Sequence, residues 1–205
     1  MAHGFLETLA SPAIEAARAA NGSADLWRDA KGARRFDRFT EAEAGFLAER
    51  DSFYMASVAE NGWPYVQHRG GPPGFLRLLD DRTLGFADFS GNRQYLSLGN
   101  ITADDRVALI LMDYAARRRL KILARAQSRD CAGDPDLGAR LAVPGYKARV
   151  ERAILLRLEA FDWNCPQHIT PRFTAEQVAA AVAPLHARIA ALERENAALR
   201  PHARG

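Results

Sequence analysis

Cysteine is almost missing from this chain. Cys131 and Cys165 are the only two in 205 residues, they sit in unlike contexts, and neither belongs to a CxxC pair. That excludes a disulfide framework. Cys165 and His168 have a ligand-like spacing, but no matching pair lies nearby, so no metal site is expected. Long apolar runs are missing as well: none approaches the roughly 18 residues of a membrane span, and no stretch has the pattern of a signal peptide. These absences predict a soluble protein in a reducing, cytoplasmic setting, without a membrane partner. Excess charge is also lacking. The 28 basic residues face 25 acidic ones, for a net charge of +3, and no block of lysines gives a polyanion a footprint, so no nucleic-acid partner is expected.

The stretch from Leu84 to Ile101, LGFADFSGNRQYLSLGNI, is what the chain offers instead. An apolar strand ending in Phe86 and Phe89 runs through a polar turn into a short helix. Ser90 is placed to cap a helix beginning near Asn92, with Arg93 in its first turn, where the macrodipole disfavours a cation. An anion between them reverses that penalty, because free N–H groups and one guanidinium together hold phosphate well. The plainer alternative is a capped surface helix with a solvated arginine.

Around this segment the hydrophobic period changes twice. Ser11 to Ala20 is a helix with Pro12 in its first turn and Gly22 beyond its end. Thr40 to Glu43 reads TEAE, a capping box opening a second helix through about Arg50. Period two then takes over. Phe53 to Ala59 and Trp63 to Arg69 form a hairpin around Asn61-Gly62, with Pro64 marking an edge strand. Strands follow at Phe75 to Leu79, Thr83 to Phe89 and Arg106 to Tyr114, the last apolar on both faces and hence central. In Arg118 to Gln127, Leu120, Ile122, Ala124 and Ala126 share one face while Arg119, Lys121 and Arg125 share the other. A partly helical excursion leads to a last long strand, Arg149 to Phe161. The expected fold is mainly β with peripheral helices: a six-stranded antiparallel barrel with one helix after the fourth strand.

The C-terminal segment changes period again. Val178, Val182, Leu185, Ile189, Leu192, Asn196 and Leu199 alternate spacings of four and three, a heptad seam with Asn196 at an a position. Arg188 with Glu193, and Glu195 with Arg200, occupy g and e′ positions of opposite charge, which fits a parallel two-stranded contact. The alternative is an amphipathic helix folded back on its own domain. Pro184, at a c position, is expected to bend or start this helix, leaving about two clean heptads, too few to hold a dimer alone.

The order of elements, with GFADFSGNRQYLSLGNI followed by RVALILMDYAARRRLKILARA, resembles the FMN-binding split-barrel family that includes pyridoxamine 5'-phosphate oxidase, over about Phe39 to Arg172. The resemblance implies a six-stranded split barrel at 39–172 between an N-terminal extension (1–38) and a C-terminal helix (173–205). It also implies a homodimer with FMN at the interface, the deazaflavin F420 being an alternative. Residue by residue, Arg69 matches the arginine on the flavin phosphate. Phe86 and Ala87 match the aromatic-plus-small pair beside the cofactor, and the glycines of Gly70 to Gly74, which are not a GxGxxG, read as a tight backbone approach or bulge beside it. Arg93 stands where a phosphate-binding lysine is usual, Asn92 replaces the arginine before it, and Arg119 aligns with a glutamine near the flavin ring.

One departure limits the function. The RLAP-like segment that clamps substrate phosphate in pyridoxamine phosphate oxidases has no match here, and the corresponding end reads FDWNCPQHITPRF (Phe161 to Phe173), similar to tails of the oxidase-like subgroup. Trp163, Cys165, His168 and Arg172 could cover a flavin, with His168 as proton donor; the alternative is a packed tryptophan and a stiff connection. The reading is an FMN-dependent oxidoreductase with an unassigned small-molecule substrate, against a non-catalytic flavin-binding or sensing module, or authentic pyridoxamine 5'-phosphate oxidation.

Overall fold

Period-two patterning carries through to the backbone. The computed structural model describes residues 4–27, 37–163 and 167–199. Seven strands form one antiparallel sheet: β1 (Ser52–Val58), β2 (Pro64–Gly70), β3 (Arg77–Asp80), β4 (Thr83–Phe89), β5 (Arg106–Asp113), β6 (Arg118–Arg129) and β7 (Val150–Trp163). Their spatial order is β2-β1-β5-β6-β7-β4-β3. The expected barrel count of six is thereby corrected to seven, and mainly β to mixed α and β, because the described helices hold about as many residues as the strands. β5 is interior, as its two-sided apolar pattern requires, and β2, which begins at Pro64, is an edge.

The sheet rolls up without closing its hydrogen-bond ladder. β2 and β4 stand five places apart in the order, a separation of about 24 Å if the sheet were flat. Yet Arg69 on β2 touches Asp88 on β4 at 2.8 Å, and the Phe53 ring on β1 meets Phe86 on β4 edge-on at 5.4 Å. Inner-face residues therefore converge on one core of Phe53, Met55, Phe75, Leu84, Phe86, Leu109, Leu111, Leu120, Ile122, Leu156 and Phe161. Each fully buried side chain of this size stabilises the fold by about 1.5–3 kcal/mol. Register shifts opposite Asp88/Phe89 and opposite Leu123/Ala124 each leave one extra residue in β7, Glu151 and Glu159, and bend that long strand into the curve.

The helices are short apart from the last: α1 (Phe5–Thr8), α2 (Pro12–Ala20), α3 (Glu41–Ala48), α4 (Leu96–Ala103), α5 (Pro135–Leu141) and α6 (Ala175–Leu199). Ser11 caps α2 by accepting from the Ile14 N–H at 3.3 Å, with Pro12 at its start. Glu43 reaches back to the Thr40 N–H at 2.9 Å, so the capping box forms. Its other oxygen accepts from Trp163 Nε1 at 2.7 Å, tying the start of α3 to the end of β7. α5 lies over β4, where a Cβ on Gly85 would come within 2.9 Å of Leu79 and 3.0 Å of Leu141. Glycine is what permits that approach. At the end of the Gly70 to Gly74 run, Gly74 takes φ 76° with the Ala48 carbonyl 3.0 Å from where a Cβ would stand. The tight approach is made against α3, and Gly70 to Gly74 do not line the cavity described below, which corrects the placement beside the cofactor.

Contacts divide the described chain into two units. One comprises the described residues up to 113 together with 118–163, so the N-terminal helices belong with the sheet. The other comprises residues 114–117 and the described residues from 167 onward; within it the Arg172 guanidinium lies 4.8 Å from the Tyr114 ring. α6 is a single helix of 25 residues that runs through Pro184. No helix among the described residues is long and apolar enough to cross a membrane.

Candidate functional site

The turn after β4 delivers the site, by a route different from the one the sequence suggests. Beyond Phe89, next to the point where β7 carries its extra residue Glu151, the Ser90 N–H donates to the Arg149 carbonyl at 2.8 Å. Ser90 therefore extends the contact with β7 and caps nothing. Asn92 accepts from the Gln94 N–H at 3.1 Å in a local turn. Arg93 and Tyr95 both take left-handed backbone, at φ 61° and 53°, and α4 starts only at Leu96. The predicted helix start near Asn92 is corrected by four residues, and Arg93 stands before the first turn instead of in it. The left-handed backbone at Arg93 and Tyr95, invisible to a capping rule, absorbs the difference.

A cavity of about 180 Å³ opens against the real start of α4. Arg69, Gln67 and Tyr65 from β2, Asp88 from the end of β4, and Asn92, Arg93 and Ser97 line it, with Met55 and Ile154 contributing apolar wall. The first-turn N–H groups of α4 have no acceptor inside the helix, so its start carries partial positive charge. Ser97 is 5% exposed and its Oγ is buried without a hydrogen-bond partner.

Arg69 enters from the other side. One Nη donates to Asp88 at 2.8 Å while Nε is buried and unpartnered. Asp88 also faces Arg152, at 3.9 Å. Burial pushes the Asp88 carboxyl above the ordinary carboxylate range, against the pull of Arg69 and then Arg152. An orphaned buried donor costs about 1–3 kcal/mol, and two belong to residues that line one small cavity. Guanidinium, hydroxyl and helix start form a donor set that suits a phosphate. The volume is below the roughly 300–1,000 Å³ of a complete small-molecule site and suits a phosphate with the start of its chain.

The structure thus brings Arg69, Asn92 and Arg93 together around one cavity. Ser90 lies outside it, in a neighbouring polar depression shared with Arg93, Arg149 and Arg152. Phe86 packs in the core against Phe53 and Phe75, although the Arg69 guanidinium stands 5.9 Å from its ring. Ala87 is buried on the face of β4 opposite to Phe86. Arg119 is half-buried on the face of β6 opposite to the core, with Nε buried and unpartnered, away from this cavity. Trp163 takes the packing role: it meets Phe46 edge-on at 4.8 Å besides bonding Glu43. His168 is exposed with φ 62°, in the other unit. Cys165 lies outside the described residues.

Sequence reasoning missed Asp88 and Ser97. Leu84, Phe86 and Asp88 alternate onto one face of β4, so period two alone points that carboxylate at the barrel interior beside the end of β2. Ser97 was hidden by the misplaced helix start.

The family model described as pyridoxamine 5'-phosphate oxidase matches residues 39–156, more than half of the chain. No curated protein matches it in sequence. Among solved structures, it is similar to an FMN-binding protein from Syntrophomonas wolfei subsp. wolfei (12% identity, 72% of this chain and 97% of that one, TM-score 0.46). It is also similar to a Clostridium acetobutylicum protein of the pyridoxinephosphate oxidase family, related to general stress protein 26 of B. subtilis (12%, 67% and 94%, 0.45). An F420 reductase matches at 21% identity over 57% of this chain and 93% of its own, with a TM-score of 0.41. With the residues from Phe39 through β4, α4 and the middle of β7 inside the matched span, the chain belongs to the pyridoxamine 5'-phosphate oxidase family.

Proposed function

We propose that this protein binds FMN with its phosphate in the cavity at the start of α4 and works as an oxidoreductase on a small molecule. The observation that carries the reading is the pair of orphaned donors, Arg69 Nε and Ser97 Oγ, on residues lining one cavity. Arg69 supplies a charge fixed in place by Asp88, Ser97 and the first turn of α4 supply neutral donors, and Arg93 closes the mouth from its left-handed turn. Bound FMN supplies the electron transfer to or from the substrate. The protein binds the phosphate, orients the group it carries, and keeps water from the buried donors.

A cavity of this size leaves the ring system to another surface, and we propose that a second copy of the chain provides it. The outer face of β1 and β2 exposes Tyr54, Val58 and Val66, at 41%, 41% and 61%, an apolar face of the kind that homodimers cover. Arg119, with its orphaned Nε, is the cation assigned to the ring edge, where it would stabilise negative charge on reduced flavin. His168 is the candidate proton donor. His168→Asn should slow turnover while leaving FMN affinity within about twofold.

The first experiment is the visible spectrum of the purified full-length chain, followed by titration of the flavin-free protein with FMN. Yellow protein, or saturable one-to-one binding, supports the reading. A colourless chain that no flavin saturates overturns it. Pyridoxamine 5'-phosphate is expected to be a poor substrate, because FDWNCPQHITPRF replaces the segment that would clamp it; turnover of order 1 per second at micromolar KM would contradict that.

A further inference from the structure

Helix α6 is the longest helix among the described residues and the one the barrel reading leaves unused. None of its residues is buried. Val178, Leu185, Ile189, Leu192 and Leu199 expose between 39% and 62% of their surface, and with Val182 and Asn196 they fall at alternating intervals of four and three. We propose that α6 pairs with α6 of a second copy of this chain as a parallel, in-register two-stranded coiled coil.

The width of the apolar stripe argues for a helix partner. A helix lying on a sheet or globular face buries three or four positions per two turns, whereas a coiled-coil seam buries only a and d. Beyond Pro184 the flanking e and g positions are His186, Arg188, Glu193 and Glu195, which suits the narrow seam. Pro184 itself falls at a c position, away from the contact, and the helix continues through it.

Charge and one amide choose the partner and its direction. In a parallel pair, Arg188 at g faces Glu193 at e′ of the other copy, once on each side of the seam. Asn196 at a then faces its own copy, where two amides can hydrogen-bond to each other. An antiparallel pair that seats the same seam also opposes unlike charges, Arg188 against Glu195, but it sets Asn196 against Leu185 and buries an amide on a leucine. A polar residue at a is a register and orientation device at some cost in stability. Self-complementarity of one chain is what selects a second copy over an unrelated helix.

The test uses the full-length chain with Cys131→Ser and Cys165→Ser as background and a single cysteine introduced on α6. Leu199→Cys, at a d position near the end, meets itself only in the parallel register; in the antiparallel register the two thiols stand about 25 Å apart along the axis, from the helical rise. Arg194→Cys, at the outward f position, is the control. Mild oxidation should give a covalent dimer from Leu199→Cys at least tenfold faster than from Arg194→Cys, and Ile189→Glu with Leu192→Glu should abolish the difference. Equal slow rates at both positions, or a Leu199→Cys chain that stays uncrosslinked while sedimenting as a dimer, would overturn the proposal. Because the readout is on α6 alone, it holds whether or not the chain binds a flavin.

Discussion

Asp88 shows how one residue can be both a cost and a device. Its carboxylate holds Arg69 in place, yet burial raises its pKa, so the folded chain keeps the proton at pH values where the unfolded chain, with an ordinary value near 3.9, has lost it. The stability this group contributes is present below that ordinary value and is lost as pH rises through the raised folded one. Asp88→Asn removes the ionisation, so its Tm relative to wild type should improve as pH rises from about 4 to 7; a difference that stays flat or falls would contradict the burial-dominated account. Trp163 makes the complementary case. Its indole N–H satisfies Glu43, which is fully buried, and Trp163→Phe should cost about 1–3 kcal/mol in urea unfolding while leaving FMN affinity unchanged. A large loss of FMN affinity with no loss of stability would return the tryptophan to the cofactor.

At the scale of elements, the contrast between Ser90 and Ser97 tests where α4 begins. Ser97→Ala removes a buried hydroxyl lining the cavity and should weaken FMN about 3- to 10-fold, the effect of a neutral hydrogen bond. Ser90→Ala should change it by less than twofold, and the reverse ranking in calorimetry would restore the helix start near Asn92. The sequence displayed the elements better than their joints. The Asn61-Gly62 hairpin, the TEAE box and the edge position implied by Pro64 were legible because each rests on chemistry between near neighbours. The start of α4 was not, because left-handed backbone at Arg93 and Tyr95 is a property of the folded turn. Of the residues lining the candidate cavity, Arg69, Asn92 and Arg93 were singled out in the sequence. Phe86, by contrast, packs in the core because strand alternation turns it inward, and the pairing of Arg69 with Asp88 depends on a sheet that rolls through five strand places.

For the whole molecule, a cofactor held between two copies, as proposed, would couple binding to assembly. Val66→Glu places a carboxylate on the exposed outer face of β2. It should shift the chain toward monomer in sedimentation at micromolar concentration and weaken FMN in parallel, whereas a monomeric variant that binds FMN as tightly as wild type would show one copy to suffice. The central claim, that the cavity at the start of α4 holds the phosphate, is tested most directly by comparing FMN with riboflavin, which lacks only that group, on wild type and on Arg93→Ala. Arg93 is exposed, so its loss should leave the fold intact. Wild type should prefer FMN by at least tenfold, and Arg93→Ala should shrink that preference about 10-fold or more by weakening FMN alone, as expected for a charge-assisted contact of about 1.5–3 kcal/mol. Equal affinity of wild type for the two flavins, or a variant that loses both in equal measure, would contradict it.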